Sequence, residues 1–122
     1  MARGSEPNTR PVVDWGAGER RRRRLEAELD RIVPILPRLG VLRAILFGSL
    51  ARGDVGGQSD IDLILIAESN ESFVERGARF YEALAPAVGI DILVYTPEEF
   101  EAVRGRGFFR RALAEGRVVY EA

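Results

Sequence analysis

From Phe47 to Ile66 the chain reads FGSLARGDVGGQSDIDLILI, and this stretch limits the fold more than any other. An apolar run from Val41 to Phe47 leads into it, and a second run, Asp60 to Ala67, closes it. Short runs rich in Val, Ile and Leu, bounded by Gly and Ser, read as strands covered on both faces. Residues i and i+2 of a strand share a face. Asp60 and Asp62 are therefore expected to project together, with Cα atoms roughly 6.5–7 Å apart. Ionised carboxylates in an apolar strand are costly unless paired or bound to a cation. Two at this separation can converge on one hard cation or on a pair, and Mg²⁺ favours oxygen ligands while leaving room for phosphates.

The flanking sequence supplies the remaining elements. Leu25, Leu29, Ile32, Val33 and Leu36 give a helical period from about Gly18, and Pro34 and Pro37 are expected to kink or end that helix. Leu50-Ala51-Arg52 reads as the start of a short helix, and Asp54 to Ser59 as a loop. Ser69 or Asn70 is the expected cap of a helix carrying Phe73, Val74, Phe80, Tyr81 and Leu84, which ends near Pro86 and Gly89. Ile90 to Tyr95 reads as a third strand. Thr96-Pro97-Glu98-Glu99 is a capping box with Pro at the first helical position, for a helix to about Arg104. A helix from Phe108 to Glu115 follows, and Val118 to Glu121 is a candidate last strand. The expected class is α/β or α+β: a small mixed sheet covered by helices.

The chain has 122 residues, which suits one domain, here 18–122, behind a flexible Gly- and Pro-rich arm over 1–17 in which Trp15 is expected to pack on something. Cys and His are absent, which excludes thiol nucleophiles, Cys/His zinc sites and imidazole catalysis. Any chemistry rests on carboxylates, hydroxyls, backbone amides and arginine; all 18 basic residues are Arg. A net charge of −1 argues against nucleic acid as a direct ligand. Arg20 to Arg24 form an unbroken run at the start of the first helix, the wrong end for its dipole. A solvated helix start is the plainer reading, and a docking surface for an acidic partner or RNA the sharper one. No apolar run approaches 20 residues and no signal-peptide pattern opens the chain, so the expected location is the cytoplasm.

Asp91 near the start of the third strand is a further carboxylate. If the second and third strands are neighbours, three acids line one end of the sheet, and two metals there would stabilise the attacking and leaving oxygens of an in-line displacement. Gly48-Ser49 is the complementary half: a strand turning sharply into a helix aims backbone N–H groups and a hydroxyl at a phosphate tail. Taken singly, Gly-Ser is a turn, Asp-x-Asp a solvent-facing pair and Asp91 an edge-strand charge. Together, three acids in apolar strands need one explanation.

These residues resemble the nucleotidyltransferase superfamily that includes DNA polymerase β, whose signature is Gly-Ser, ten residues, then Asp-x-Asp. Gly48-Ser49 and Asp60-Ile61-Asp62 have that spacing. LFGSLARGDVGGQSDIDLIL, with Ala51-Arg52-Gly53 and Ser59, is similar to the minimal nucleotidyltransferase group in particular, over roughly Leu39 to Glu101. The resemblance implies a polymerase β-like fold. It also implies that Asp60, Asp62 and Asp91 bind Mg²⁺, as two ions, with Asp91 serving as base. Gly48, Ser49, Arg52 and Ser59 would bind the nucleotide. Leu50 stands where many members have Arg, with Arg52 close by as a cation. The implied reaction moves AMP from ATP to a hydroxyl, a tyrosine of a HEPN-domain partner encoded next door. In such a toxin–antitoxin pair this chain would be the antitoxin.

With little beyond the catalytic sheet, the acceptor wall is expected from a partner or a second copy of the chain. The Phe108–Phe109 helix and the Arg20 to Arg24 helix are candidate docking faces, although core packing is the expected role of both phenylalanines. Two other readings stand beside transfer to a protein: a non-catalytic module that neutralises a HEPN partner by binding, and a transferase acting on a small molecule such as an antibiotic.

Overall fold

The computed structural model describes residues 16–122. Trp15 and nearly all of the expected arm lie outside the described residues. Helix α1 (Ala17–Ile32) buries Leu25, Leu29 and Ile32. It passes directly into a 3₁₀ helix, Val33–Leu39, where Pro34 can no longer donate an N–H; Gly40, at φ 81°, ends it. Pro34 therefore acts where expected, at the end of α1, whereas Pro37 lies within the 3₁₀ helix. Then follow β1 (Val41–Phe47), α2 (Gly48–Arg52), β2 (Ile61–Ala67), α3 (Phe73–Leu84), β3 (Ile90–Tyr95), α4 (Pro97–Val103), α5 (Gly107–Glu115) and β4 (Arg117–Glu121).

The four strands form one mixed sheet in the order β3-β2-β1-β4. β1 runs antiparallel to both β2 and β4, while β2 and β3 are parallel and joined across α3. β2 lies inside the sheet and side chains pack on both its faces, so Leu63, Ile64 and Leu65 are wholly buried. Leu63 and Leu65 pack with Ala44, Leu46 and the apolar residues of α1, the 3₁₀ helix and α3. Ile64 and Ile66 pack on the other face with Ile45 and Phe100, against Phe109 and Leu113 of α5. Each fully buried Leu or Ile contributes roughly 1.5–3 kcal/mol relative to exposure.

The α3 cap corrects the expectation of Ser69 or Asn70. Ser72 caps the helix: its hydroxyl accepts the Glu75 N–H at 3.2 Å, and the Glu75 carboxylate accepts the Ser72 N–H at 3.1 Å. The box needs Glu three residues on, which Ser72 has; Ser69 and Asn70 are followed at that distance by Ser72 and Phe73. The hydroxyl of Ser69 instead accepts the Glu71 N–H. Thr96 and Glu99 form the box expected for α4.

Among the described residues, Arg76 and Glu28 are charged side chains buried as structural ties. Arg76, 2% exposed, donates to the carbonyls of Val94 and Glu71 and to Glu99, linking α3 to β3 and α4. Glu28 accepts the Ala87 N–H at 2.6 Å, and the Arg31 guanidinium beside it holds its carboxyl down at about 2. Along the arginine run, Arg22 pairs with Glu19 and Glu26, and Arg23 with Glu19. No helix among the described residues is long and apolar enough to cross a membrane.

Candidate active site

The antiparallel β1–β2 pair and the parallel β2–β3 pair bring the C-terminal end of β1 beside the N-terminal ends of β2 and β3. At that end Phe47 is opposite Asp62, and Asp62 is opposite Asp91. Strand alternation places Asp62 with Ile64 and Ile66, and Asp91 with Leu93 and Tyr95, all on the α4–α5 face. When protonated, the Asp62 carboxyl donates a hydrogen bond to Asp91. Burial pushes the Asp62 carboxyl up to about 6, helped by that bond, by the charge of Asp91 and by that of Asp60.

Directly after β1 the backbone turns at Gly48, φ 76°, into α2. A Cβ on Gly48 would stand 2.1 Å from Asp62 Oδ2, so only glycine admits the carboxylate against the turn. Ser49 follows in the same turn. Leu50 is buried in the core below, which explains why an apolar residue occupies that position. Arg52, at the end of α2, reaches Asp54 at 3.2 Å and Glu115 of α5 at 3.5 Å. Its charge also lowers the cost of ionising Asp62. Between α2 and α5 lies a cavity of about 190 Å³ lined by Phe47, Gly48, Arg52, Phe108, Arg111 and Glu115.

Asp60 lies just before the strand and is paired outside the sheet. β2 begins at Ile61, and Asp60, one residue earlier, turns to α1: its Oδ1 is 3.1 Å from Arg21 Nη2. Its carboxylate lies over Gly89, where a Cβ would come within 2.3 Å of Oδ1. Ser59 closes the loop, its hydroxyl accepting the Gly56 N–H and its carbonyl accepting Arg21 Nε. The structure therefore brings together Asp62, Asp91, Gly48, Ser49 and Arg52, and holds Asp60 and Ser59 toward α1. Among the described residues no group of three or more carboxylates is gathered closely enough to hold a metal ion. The Asp62–Asp91 pair does suit a hard cation: both donors are oxygen, they stand opposite each other on neighbouring strands, and burial penalises the charge of Asp62 unless a cation offsets it.

Sequence reasoning overlooked the individual roles of Arg21 and Gly89. Arg21, which reaches Asp60, was hidden within five consecutive arginines. Gly89 immediately precedes a strand with an acid at its second position, and that placement was the available signal. Phe108 corrects the core expectation: Phe109 packs in the second core cluster, but Phe108 is 52% exposed and stands edge-on to Phe47 and Phe109.

At this corner a Gly-Ser turn therefore stands opposite paired strand carboxylates. The Nucleotidyltransferase domain family matches residues 22–117. The chain belongs to this family. This nucleotidyltransferase, of minimal type, is 35% identical over 81 residues to the Methanocaldococcus jannaschii protein MJ0604, assigned by name as a protein adenylyltransferase; the match covers 66% of this chain and 79% of that protein. It is 37% identical over 67 residues to MJ0435 of the same organism, assigned likewise, covering 53% and 71%. A crystal structure from Sulfolobus solfataricus, assigned as a nucleotidyltransferase, shares the fold with a TM-score of 0.62 at 18% identity, over 91% of this chain and 93% of that one.

Proposed function

We propose that this nucleotidyltransferase transfers AMP from Mg-ATP to a hydroxyl of a partner protein. The carrying observation is the Asp62–Asp91 pair set against the glycine-only turn at Gly48. Asp60, Asp62 and Asp91 are the residues that would hold Mg²⁺, as two ions. When bound, Mg²⁺ neutralises the triphosphate and stabilises charge in the displacement. The backbone and hydroxyl at Gly48 and Ser49 hold the β- and γ-phosphates, and Arg52 adds a cation beside them. Ser59 shapes the loop that carries Asp60. The acceptor oxygen attacks the α-phosphorus, its proton passes to the Asp91 carboxylate, the bond to the β-phosphate oxygen breaks, and pyrophosphate leaves.

A protein acceptor is supported by the names of the two archaeal relatives. We infer further a tyrosine of a HEPN-domain partner, silenced by AMP in a cytoplasmic toxin–antitoxin pair. The test uses the product of the adjacent gene. Incubated with this protein, ATP and Mg²⁺ and weighed intact, it should gain one or more AMP units, and the gain should vanish with Asp62→Asn or Asp91→Asn. A stable complex without mass gain would favour the non-catalytic binding module instead.

A further inference from the structure

Arg21 has no task in the proposed mechanism, although its side chain is tied to the site. Its side chain, only 19% exposed, reaches from α1 across the loop between α2 and β2. It makes two directed bonds there, Nε to the Ser59 carbonyl at 2.8 Å and Nη2 to Asp60 Oδ1 at 3.1 Å. The first turn of α1 is seated on the same loop: a Cβ on Gly18 would lie 2.6 Å from the Val55 carbonyl oxygen. α1 packs on the sheet face formed by Leu63 and Leu65, whereas Asp62 and Asp91 project with Ile64 and Leu93 on the opposite face. Arg21 therefore ties the first acid of Asp-x-Asp to α1, an element that neither Asp62 nor Asp91 packs against.

We propose that Arg21 is a latch on Asp60, a positioning residue that competes with the divalent cation for this carboxylate. This rests on the metal-site reading above. Arg21 serves as the counter-cation of Asp60 while the site is empty of metal, and its fork must release Oδ1 before Asp60 can join Asp62 and Asp91. Divalent cation binding thus works against an ion pair built into the fold, and loading favours the nucleotide-bound state, in which phosphates supply the remaining oxygen ligands.

The test is Mn²⁺ binding to the whole chain without nucleotide, followed by electron paramagnetic resonance. Arg24→Gln is the charge-matched control: it removes the same charge one turn along α1 from a residue whose bond is to the Ala87 carbonyl, not to Asp60. Arg21→Gln should bind Mn²⁺ about five-fold tighter than wild type, a gain near 1 kcal/mol on the scale of a partly exposed ion pair, with Arg24→Gln within about two-fold. If Arg21→Gln does not fold, Arg21→Lys keeps the charge but loses the fork, and a smaller tightening is expected. Weaker binding in the Arg21 variants would show that Arg21 orients Asp60 for ligation and would overturn the latch. Equal tightening in the Arg21 and Arg24 variants would reduce the effect to net charge and overturn it as well. In both cases wild-type binding that is lost in Asp62→Asn leaves the site reading standing. No Mn²⁺ bound by any variant would overturn both.

Discussion

Asp62 is the residue at which chemistry and stability pull in opposite directions. Its native carboxyl titrates near 6, above the ordinary 3.8. The native state therefore binds this proton more tightly than the unfolded chain, and Asp62 subtracts stability as pH rises from about 4 to 6. Without metal, Asp62→Asn should be more stable than wild type at pH 7.5 by about 1 kcal/mol, and the advantage should fade near pH 4. Urea denaturation at the two pH values in the presence of a chelator reads this directly. An unchanged or lowered stability at pH 7.5 would mean that the charge of Asp62 is already offset in the fold. The acids themselves were legible in the sequence, because an ionised group in an apolar strand needs a reason. The turn of Asp60 toward α1 was not, because its partner is 39 residues away and period-two alternation carries no information about where a strand starts.

At the scale of elements, α3 is held by more than its apolar face. The guanidinium of Arg76 joins two main-chain carbonyls and Glu99 beneath the helix. Arg76→Ala removes all of these bonds and leaves buried carbonyls unpaired, a loss of about 2–3 kcal/mol. Equilibrium urea unfolding should show that loss, whereas Arg79→Ala, on the exposed part of the same helix, should change stability by less than about 1 kcal/mol. Equal effects would remove the case for Arg76 as a structural tie. Element positions were largely readable: Pro34 at the end of α1, the Thr96–Glu99 box and the Gly48 break each act through local backbone chemistry. Arg76 was not readable, since a charged residue within an amphipathic helix is indistinguishable in sequence from a solvated one.

For the whole molecule, the succession of helices and strands was legible, but the sheet order was not. β1 and β2 pair antiparallel although a helix and a loop separate them, and β4 closes the far edge beside β1. These pairings are long-range choices among strands of similar composition. Their consequence is functional: they place Gly48, Asp62 and Asp91 at one corner, beside a cavity walled by Phe108 and Arg111 of α5. The central claim is that this corner is a metal-dependent nucleotide site. Calorimetric titration of the whole chain with a non-hydrolysable ATP analogue, with and without Mg²⁺, tests it most directly. The account predicts binding that requires Mg²⁺ and is lost in Asp62→Asn while that variant remains folded. Binding of equal strength without Mg²⁺, or retained in Asp62→Asn, would contradict it.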